Sequence, residues 1–244
     1  MIKGVIFDLG STLIHFEGNW DQIWQDSLHE LTAALQVAGI ESEPDHLISE
    51  FAGRMHAYRR DRLGDHQERT TKNILVETLT ALGESIPDDR TLAAALRRMY
   101  AHTETHWKPV PGLESTLIEL QERGLRLALL SNAGDEPNVQ RLIDQAGIRP
   151  YFDPILVSAA LGVRKPAQKP FVLILSRWGF EPGEAVMVGD RLDQDILGAQ
   201  QAGIHQIWLR AYADTDQVPT QEPERISDAL SQVPALIDGL NSKG

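Results

Sequence analysis

The chain has 244 residues, of which 42% are hydrophobic and 24% are charged, a composition that is ordinary for a globular protein and excludes a disordered one. Its length suits one sizeable hydrophobic core together with a second, smaller domain. The formal net charge of −12 argues against nucleic acid or an anionic membrane surface as a partner, and the absence of cysteine excludes disulfides, a thiol nucleophile and thiolate metal sites.

The sequence predicts neither a membrane span nor an export signal. No run of residues approaches the ~18 apolar positions of a spanning helix, and the first residues enter a predicted strand without a basic segment followed by a long apolar stretch. We therefore expect a cytoplasmic protein with no membrane and no nucleic acid among its partners, present as a monomer or a homodimer.

A short apolar segment at residues 2–7 opens the chain and is typical of a buried strand. The pattern changes between roughly residues 17 and 108, where no strand-like run occurs and four amphipathic helical stretches do. Gly39, Gly64 and Gly83 mark the breaks between these stretches. We predict helices at residues 20–37, 44–60, 68–82 and 89–107.

From residue 113 onward, helical and strand-like segments alternate, and a glycine lies at or near the end of several helices as a C-cap residue. Each strand-like segment is short, apolar and followed closely by Gly, Asp, Ser or Asn. We predict helices at residues 113–122, 136–146, 170–178, 194–202 and 227–239, and strands at residues 125–130, 155–158, 185–188 and 206–209.

This organisation predicts an α/β fold with a doubly wound, Rossmann-like parallel sheet and right-handed crossovers. The helical region after the first strand is best explained as an inserted domain that ends at the Pro-Val-Pro-Gly linker of residues 109–112. We predict a core domain from residues 1–16 and 109–244 and a smaller all-helical domain from residues 17–108.

Polar residues follow several of the predicted strands. Asp8, Ser131 and Asp190 each come directly or almost directly after a buried strand, and Lys165 lies in a loop beyond another. Because the carboxyl ends of parallel strands meet at one edge of a sheet, we expect these side chains to share a site. Taken singly, each has an alternative explanation as a helix cap, a turn residue or a solvated loop charge.

The order and identity of these residues resemble the haloacid dehalogenase superfamily of aspartate-nucleophile hydrolases, in its phosphatase-like branch with a helical cap inserted after the first motif. The resemblance spans the whole core. The segments that carry it are VIFDLGSTL at residues 5–13, SN at residues 131–132, GVRKP at residues 162–166 and GDRLDQD at residues 189–195.

The resemblance implies a metal-assisted attack by a carboxylate. A carboxylate that attacks a phosphoryl group normally requires a cation between the two anions, and Mg²⁺ prefers hard oxygen ligands. By resemblance, Asp8 is the nucleophile, and Mg²⁺ is held by Asp8, Asp190 and the backbone carbonyl of Gly10. Asp195 is a further or alternative ligand, and Asp193 is a weaker candidate that suits a helix N-terminus.

The second and third motifs imply a phosphoryl-binding set. Ser131 and Asn132 supply hydrogen-bond donors for a phosphoryl oxygen, and the backbone amides that follow add to them. Lys165 neutralises the developing charge and keeps Asp8 ionised. The resemblance thus implies that Asp8, Ser131 and Lys165 are catalytic and that Ser131, Asn132 and Lys165 bind the substrate.

The chain departs from the phosphatase pattern at Gly10, where the superfamily usually carries an aspartate that protonates the leaving alcohol. Such acid–base help is typically worth about 10²- to 10⁴-fold. One explanation of the glycine is a turn that requires φ > 0. His15, just downstream, is a candidate substitute acid, although a polar hinge residue explains it as well.

The inserted domain contains a basic, aromatic stretch, HAYRRDRL at residues 56–63. This stretch either faces the core and recognises an anionic or ring-bearing substrate, or forms a solvated helix face. Trp20, Trp24 and Trp107 flank the entrance and exit of the domain, where we expect them to pack the hinge rather than to stack on a ligand.

The sequence therefore favours a Mg²⁺-dependent hydrolase, a phosphatase that acts on a small phosphorylated metabolite through an aspartyl-phosphate. One alternative is a 2-haloacid dehalogenase-like hydrolase. Retention of Asp190 and Asp195 argues against it, as does Gly10 where that branch has an aromatic residue. A second alternative is a catalytically weak, phosphate-binding regulatory protein that lost turnover with the acid at position 10.

Overall fold

A computed structural model of the chain describes residues 1–213 and 222–242, except for the side chains of residues 62 and 63. Within these residues, eight strands are formed: β1 (Gly4–Phe7), β2 (Ile14–Phe16), β3 (Trp107–Pro109), β4 (Arg126–Ser131), β5 (Ile155–Val157), β6 (Ala185–Gly189), β7 (His205–Leu209) and β8 (Arg225–Ser227). The α-helices are α1 (Trp20–Val37), α2 (Pro44–Asp65), α3 (Thr71–Ala81), α4 (Asp89–Glu104), α5 (Leu113–Glu122), α6 (Glu136–Gln145), α7 (Ser158–Leu161), α8 (Gln168–Trp178), α9 (Leu197–Gln201) and α10 (Val233–Asn241).

Six of the strands form one parallel sheet in the order β5-β4-β1-β6-β7-β8. Strand β1 lies at its centre, and all four of its residues are buried. Val5 and Phe7 point to a cluster that includes residues of α5, α6 and α10, whereas Ile6 points to a cluster that includes residues of α8 and α9. The sheet is thus covered by helices on both faces, which confirms the predicted doubly wound α/β fold.

The order in which strands are added across the sheet reverses at β1, because β4 and β6 pair with opposite edges of this strand. At such a switch point, the loops at the carboxyl ends of neighbouring strands diverge and leave a crevice. The loops that follow β1, β4 and β6 contain Asp8, Asn132 and Asp190. The topology therefore places three of the sequence motifs around one crevice.

A two-stranded antiparallel hairpin, β2 with β3, carries the chain out of the core and back. Helices α1 to α4 lie between these two strands and have their own hydrophobic cluster, in which Leu28, Leu35, Phe51 and Leu75 are almost fully buried. From this separate cluster we propose that residues 17–108 form the predicted cap domain, with the hairpin at its junction with the core. No helix in the described part of the chain is long and apolar enough to cross a membrane.

The loop between α2 and α3 is bound to the core by backbone hydrogen bonds. The N–H of Glu68 donates to the carbonyl of Gly162 (3.1 Å), and the N–H of Arg164 donates to the carbonyl of His66 (3.0 Å). The N–H of Thr71 donates to the carbonyl of Gly134 (2.8 Å). The inserted helices are therefore closed over the crevice in this structure.

Several predicted boundaries differ from the structure. The predicted break at Gly64 is wrong, because α2 continues to Asp65 and ends at His66, which has a left-handed φ of 56°. The helix predicted to end at Trp107 ends at Glu104, and Trp107 is the first residue of β3, which pairs with β2 in the hairpin. Ser227 ends strand β8 rather than starting the last helix, and the predicted helix at 194–202 begins as a π-helical turn at Leu192–Ile196.

Candidate active site

The structure brings the four predicted polar residues together at the crevice. Asp8 follows the central strand, and its N–H donates to the carbonyl of Val188 in β6 (3.0 Å). Ser131 is the last residue of β4, and Asp190 follows β6. Lys165 arrives from the loop after α7, and its ammonium contacts Asp8 directly at 2.5 Å. The fold thus brings together at one site the four side chains that were expected to share one.

The ammonium of Lys165 is almost completely buried, with 1% of its side chain exposed. Its Nζ lies 2.5 Å from Asp8 Oδ1 and 2.6 Å from Asp195 Oδ1, and it donates to the carbonyl of Leu130 at 2.7 Å. The contacts with Asp8 and Leu130 are hydrogen bonds, and the contact with Asp195 is an ion pair. Lys165 is therefore held in a fixed position between the two carboxylates.

Three carboxylates meet around this lysine. Oxygen atoms of Asp8, Asp190 and Asp195 all lie within 4.8 Å of one another. Burial raises the pKa of Asp8 to about 6, and the charge of Asp195 adds to this while Lys165 opposes it. Burial and the neighbouring charges of Asp8 and Asp195 raise the pKa of Asp190 to about 8.

The donor set fits a divalent cation. Three carboxylates and one ammonium leave two negative charges at formal count in a buried site. Carboxylate oxygens are the ligands that Mg²⁺ prefers, and a cation would relieve the repulsion that raises both pKa values. Asp195 is the most constrained of the three, because its Oδ2 also accepts from the N–H of Arg191 at 3.0 Å. A Cβ on Gly189 would overlap with the Asp195 carboxyl group, so a glycine is required there.

Gly10 lines the crevice, but its backbone does not require a glycine. The left-handed residue of this loop is Ser11, with a φ of 58°, whereas Gly10 lies outside the positive-φ region. A Cβ at Gly10 would make an ordinary van der Waals contact with the Trp107 indole at 3.6 Å. The explanation of Gly10 by a turn that requires φ > 0 is therefore wrong.

Asn132 holds the loop that carries the lysine. Its Nδ2 donates to the carbonyl of Lys165 (3.0 Å) and to Gln194 Oε1 (2.8 Å), and its Oδ1 accepts from the N–H of Lys165 (2.9 Å). Both amide hydrogens are thus used within the protein. Ser131, which is 6% exposed, lines the crevice beside it.

His15 and Asp193 are occupied by other contacts. His15 lies in β2, where its Nε2 is 3.1 Å from Glu17 Oε1 and its ring stacks on Tyr212 at 4.4 Å between centroids. The crevice is lined by its neighbour Ile14 rather than by His15. Asp193 accepts two hydrogen bonds from the guanidinium of Arg191, at 3.0 and 3.2 Å. The geometry therefore favours a hinge role for His15 and an ion-pair role for Asp193.

The crevice is a cleft of about 510 Å³ between the inserted helices and the core. Phe16 packs edge-on against Trp20 (4.8 Å) and Trp107 (5.4 Å), as expected of hinge residues, yet Trp20, Trp24 and Trp107 also line the cleft. Several other residues that line the cleft were not among the predicted site residues. They include Arg164 and Gln194, which lie within recognised motifs, and Tyr100 and Thr103, on one face of α4.

A buried polar cluster joins the inserted helices to the core beside the cleft. The side chain of Glu68 is 1% exposed, although it comes from the α2–α3 loop. Its Oε1 accepts from the hydroxyl of Tyr58 (2.6 Å), and its Oε2 accepts from that of Ser158 (2.7 Å). Arg164 lies 3.5 Å from the same Oε2, and its Nη2 donates to Gln194 Oε1 at 3.4 Å. The cluster thus links the cap side to the loop that carries Lys165.

The basic stretch at residues 56–63 is divided between buried and exposed positions. Tyr58 is buried, Arg59 is partly buried, and Arg60 is exposed. The Arg59 guanidinium lies over the Trp24 ring at 5.9 Å. The side chains of Arg62 and Leu63 lie outside the described residues. Part of the stretch therefore faces the core side rather than forming a uniform solvated face.

Comparison with known proteins identifies the family. Residues 2–203 match the haloacid dehalogenase-like hydrolase family, and the chain belongs to it. The chain is 30% identical to the glyceraldehyde 3-phosphate phosphatase of Methanopyrus kandleri, in a match that covers 97% of this chain and 99% of the relative. It is 32% identical to the glyceraldehyde 3-phosphate phosphatase of Methanothermobacter thermautotrophicus, over 97% of this chain and 100% of the relative. The predicted superfamily is confirmed.

Solved structures of both branches share the fold. A 2-haloacid dehalogenase from Pseudomonas syringae pv. Tomato superposes with a TM-score of 0.68 at 25% identity, covering 98% of this chain and 99% of that one. A phosphatase of the superfamily from Thermococcus onnurineus gives the same TM-score at 22% identity, again over 98% and 99% of the two chains. The fold alone therefore does not separate the two chemistries.

Proposed function

We propose that the chain is a Mg²⁺-dependent phosphatase that hydrolyses a small phosphorylated metabolite through an aspartyl-phosphate on Asp8. The curated relatives that span the chain are phosphatases, which confirms the prediction of a phosphohydrolase. The observation that carries the proposal is the buried trio of Asp8, Asp190 and Asp195 with its excess of negative charge. The cleft of about 510 Å³ suits a small substrate.

In the first step, a carboxylate oxygen of Asp8 forms a bond to phosphorus, and the bond from phosphorus to the ester oxygen breaks. Lys165 keeps Asp8 ionised and aligned, because it donates to Asp8 Oδ1 at 2.5 Å while its hydrogen bond to the Leu130 carbonyl and its ion pair with Asp195 hold the ammonium in place. Ser131 supplies a donor to the phosphoryl oxygens. A water molecule then attacks the phosphorus of the aspartyl-phosphate, and the bond from phosphorus to the Asp8 oxygen breaks, which returns Asp8 as a carboxylate. The proton that the water loses balances, through solvent, the one that the released alkoxide takes up.

Asp8, Asp190 and the carbonyl of Gly10 are the residues that would hold Mg²⁺. When bound, the cation neutralises charge between the nucleophile and the phosphoryl group. Asp195 is held by Lys165 and by the N–H of Arg191, so its proposed contribution is to orient Lys165 and to complete the charge of the site.

The side of the cleft that faces the leaving group has no carboxylate at position 10. A departing alkoxide would have to leave without a proton from this residue, so poor leaving groups are disfavoured. Aryl, acyl and enol phosphates need less help because their leaving oxygens are weaker bases. We therefore propose that turnover is fastest with such activated esters.

The dehalogenase alternative requires a nucleophilic aspartate but no metal. The buried carboxylate trio disfavours it, because a reaction without metal gives no role to three carboxyl groups whose mutual repulsion already raises the pKa values of Asp8 and Asp190. The regulatory alternative shares this site and differs only in turnover. The predicted cytoplasmic location and the monomeric or homodimeric state stay predictions.

The test is phosphate release from 4-nitrophenyl phosphate and from a panel of sugar, nucleotide and acyl phosphates that includes glyceraldehyde 3-phosphate. Each is assayed with Mg²⁺ or with a chelator, for the native chain, for Asp8→Asn and for Asp153→Asn. Asp153 is an exposed residue paired with Arg177, so it controls for loss of a carboxylate. Release that requires Mg²⁺ and is lost only in Asp8→Asn supports the proposal, whereas no release from any ester favours the regulatory protein.

A further inference from the structure

A second chamber of about 240 Å³ adjoins the cleft on its cap side. The rest of its wall is formed by α2, by α3 with the loop before it, and by Gly134 and Asp135 of the core. It is smaller than the ~300–1,000 Å³ typical of drug-sized ligands, so it suits a group of a few heavy atoms. The residues that line both spaces are Trp20, Trp24, Tyr100, Asn132, Ala133 and Asn138.

The chamber lies next to the phosphoryl-binding end of the cleft. Asn132, which lines both spaces, directly follows Ser131 at the end of β4. A substrate whose phosphoryl group contacts Ser131 would therefore extend its other end toward the cap. The chamber is thus placed to receive the leaving group rather than the phosphate.

Four arginines line the cleft or the chamber, and three of them have carboxylate partners. Among the described residues, Arg59 has no such partner in an ion pair. Its charge is therefore the one that remains available to a ligand. The three paired arginines are Arg164 with Glu68, Arg191 with Asp193, and Arg69 with Glu77.

Arg59 is also held in position before any ligand arrives. Its guanidinium lies 5.9 Å from the centre of the Trp24 ring, a cation–π distance. The acids of the chamber are already engaged, since Glu68 bonds to Tyr58 at 2.6 Å and Asp135 accepts from the N–H of Asn138 at 2.8 Å. A guanidinium fixed on an aromatic ring is suited to an incoming carboxylate or phosphate.

We infer that this chamber binds a second anionic group, a carboxylate or a second phosphate, carried by the leaving alcohol of the substrate, and that Arg59 recognises it. The inference rests on the proposed phosphatase function and narrows its substrate class. Among esters of equal leaving-group reactivity, the preferred substrates are phosphate monoesters of small hydroxy acids and small bisphosphates. Such substrates carry a second anionic group, which glyceraldehyde 3-phosphate, the substrate for which the relatives are named, does not have.

The test compares pairs of substrates that differ in the presence of that second anionic group. 3-Phosphoglycerate is matched with glyceraldehyde 3-phosphate, and 1,3-propanediol bisphosphate with the monophosphate, which separates a carboxylate from a phosphate. Arg59→Gln is expected to lower kcat/KM by about 10- to 100-fold for the doubly anionic member of the recognised pair and by less than about 2-fold for its partner. Arg59→Lys should restore part of the loss. Arg60→Gln, at an exposed position, should change neither.

Binding to the Asp8→Asn chain, measured by titration calorimetry with the same probes, separates the two claims. Absence of turnover with every ester would overturn the proposed phosphatase. A dissociation constant that rises in Arg59→Gln only for the probes with a second anionic group would still support the chamber. Equal effects of Arg59→Gln on both members of each pair, or no effect on any, would overturn the inference whatever the turnover.

Discussion

The buried ion pair between Glu68 and Arg164 gives a stability prediction. In Glu68→Gln the amide still accepts from a hydroxyl, but the charge that faces Arg164 at 3.5 Å is lost. Removing one partner of a buried pair typically costs about 3–5 kcal/mol, because the other charge stays buried and uncompensated. At about 2–4 °C per kcal/mol for a chain of this size, the lower figure corresponds to a fall in Tm of about 6–12 °C.

The matched control is Glu77→Gln. Glu77 pairs with Arg69, but its side chain is 46% exposed, and such surface pairs contribute about 0–1 kcal/mol. Its Tm should therefore fall by less than about 4 °C. The double variant Glu68→Gln/Arg164→Met removes both charges and should recover part of the loss. Calorimetric melting of the four chains measures this, and equal falls in Tm for Glu68→Gln and Glu77→Gln would refute the reasoning.

Three further predictions concern the cleft. Gly10→Asp should raise kcat for alkyl phosphates by up to about 10²-fold, because the backbone there does not require glycine; a loss of activity on both alkyl and aryl esters would show that the Trp107 contact at 3.6 Å prevents it. Mg²⁺ binding should release protons at pH 7, because Asp190, with its pKa raised to about 8, is largely protonated without metal and must ionise to bind it. Calorimetry in two buffers of different ionisation enthalpy counts these protons, and a count that does not fall as the pH rises to 9 would contradict the assignment. Gly189→Ala should abolish Mg²⁺ binding or strongly weaken it, because the added methyl displaces the Asp195 carboxyl group, whereas Gly183→Ala, where a Cβ meets open space, should leave it unchanged in the same calorimetric titration.

The strand ends could be predicted from the sequence because each combines two local signals, an apolar run and a polar residue that follows it. Asp8, Ser131 and Asp190 each follow an apolar run, and parallel strands bring such positions to one edge whatever the details of packing. Lys165 is less evident from pattern alone, since it lies in a loop well beyond the end of β5. The strand-end argument for placing it in the site is therefore weaker, and the family resemblance supports it further.

The contacts across the cleft could not be predicted in the same way. Glu68 and Arg164 are far apart in sequence and meet only because the α2–α3 loop docks on the core. Arg59 and Arg60 are adjacent and chemically alike, and only the helix orientation separates a chamber residue from an exposed one. Gly10 shows the reverse case, because a local rule suggested positive φ and the structure puts that conformation at Ser11. These contacts and the position of the left-handed residue therefore depend on long-range docking and local loop geometry, which composition and periodicity do not determine.

The covalent intermediate tests the central claim most directly. The native chain with Mg²⁺ and an aryl phosphate is quenched in acid during turnover and digested, and the peptide that contains Asp8 is examined by mass spectrometry. We expect a phosphoryl group on Asp8 that hydroxylamine removes. It should form in the control variant Asp153→Asn, but not when Asp8→Asn is added to that variant. Continued phosphate release with no phosphoryl group on that peptide would contradict Asp8 as the nucleophile.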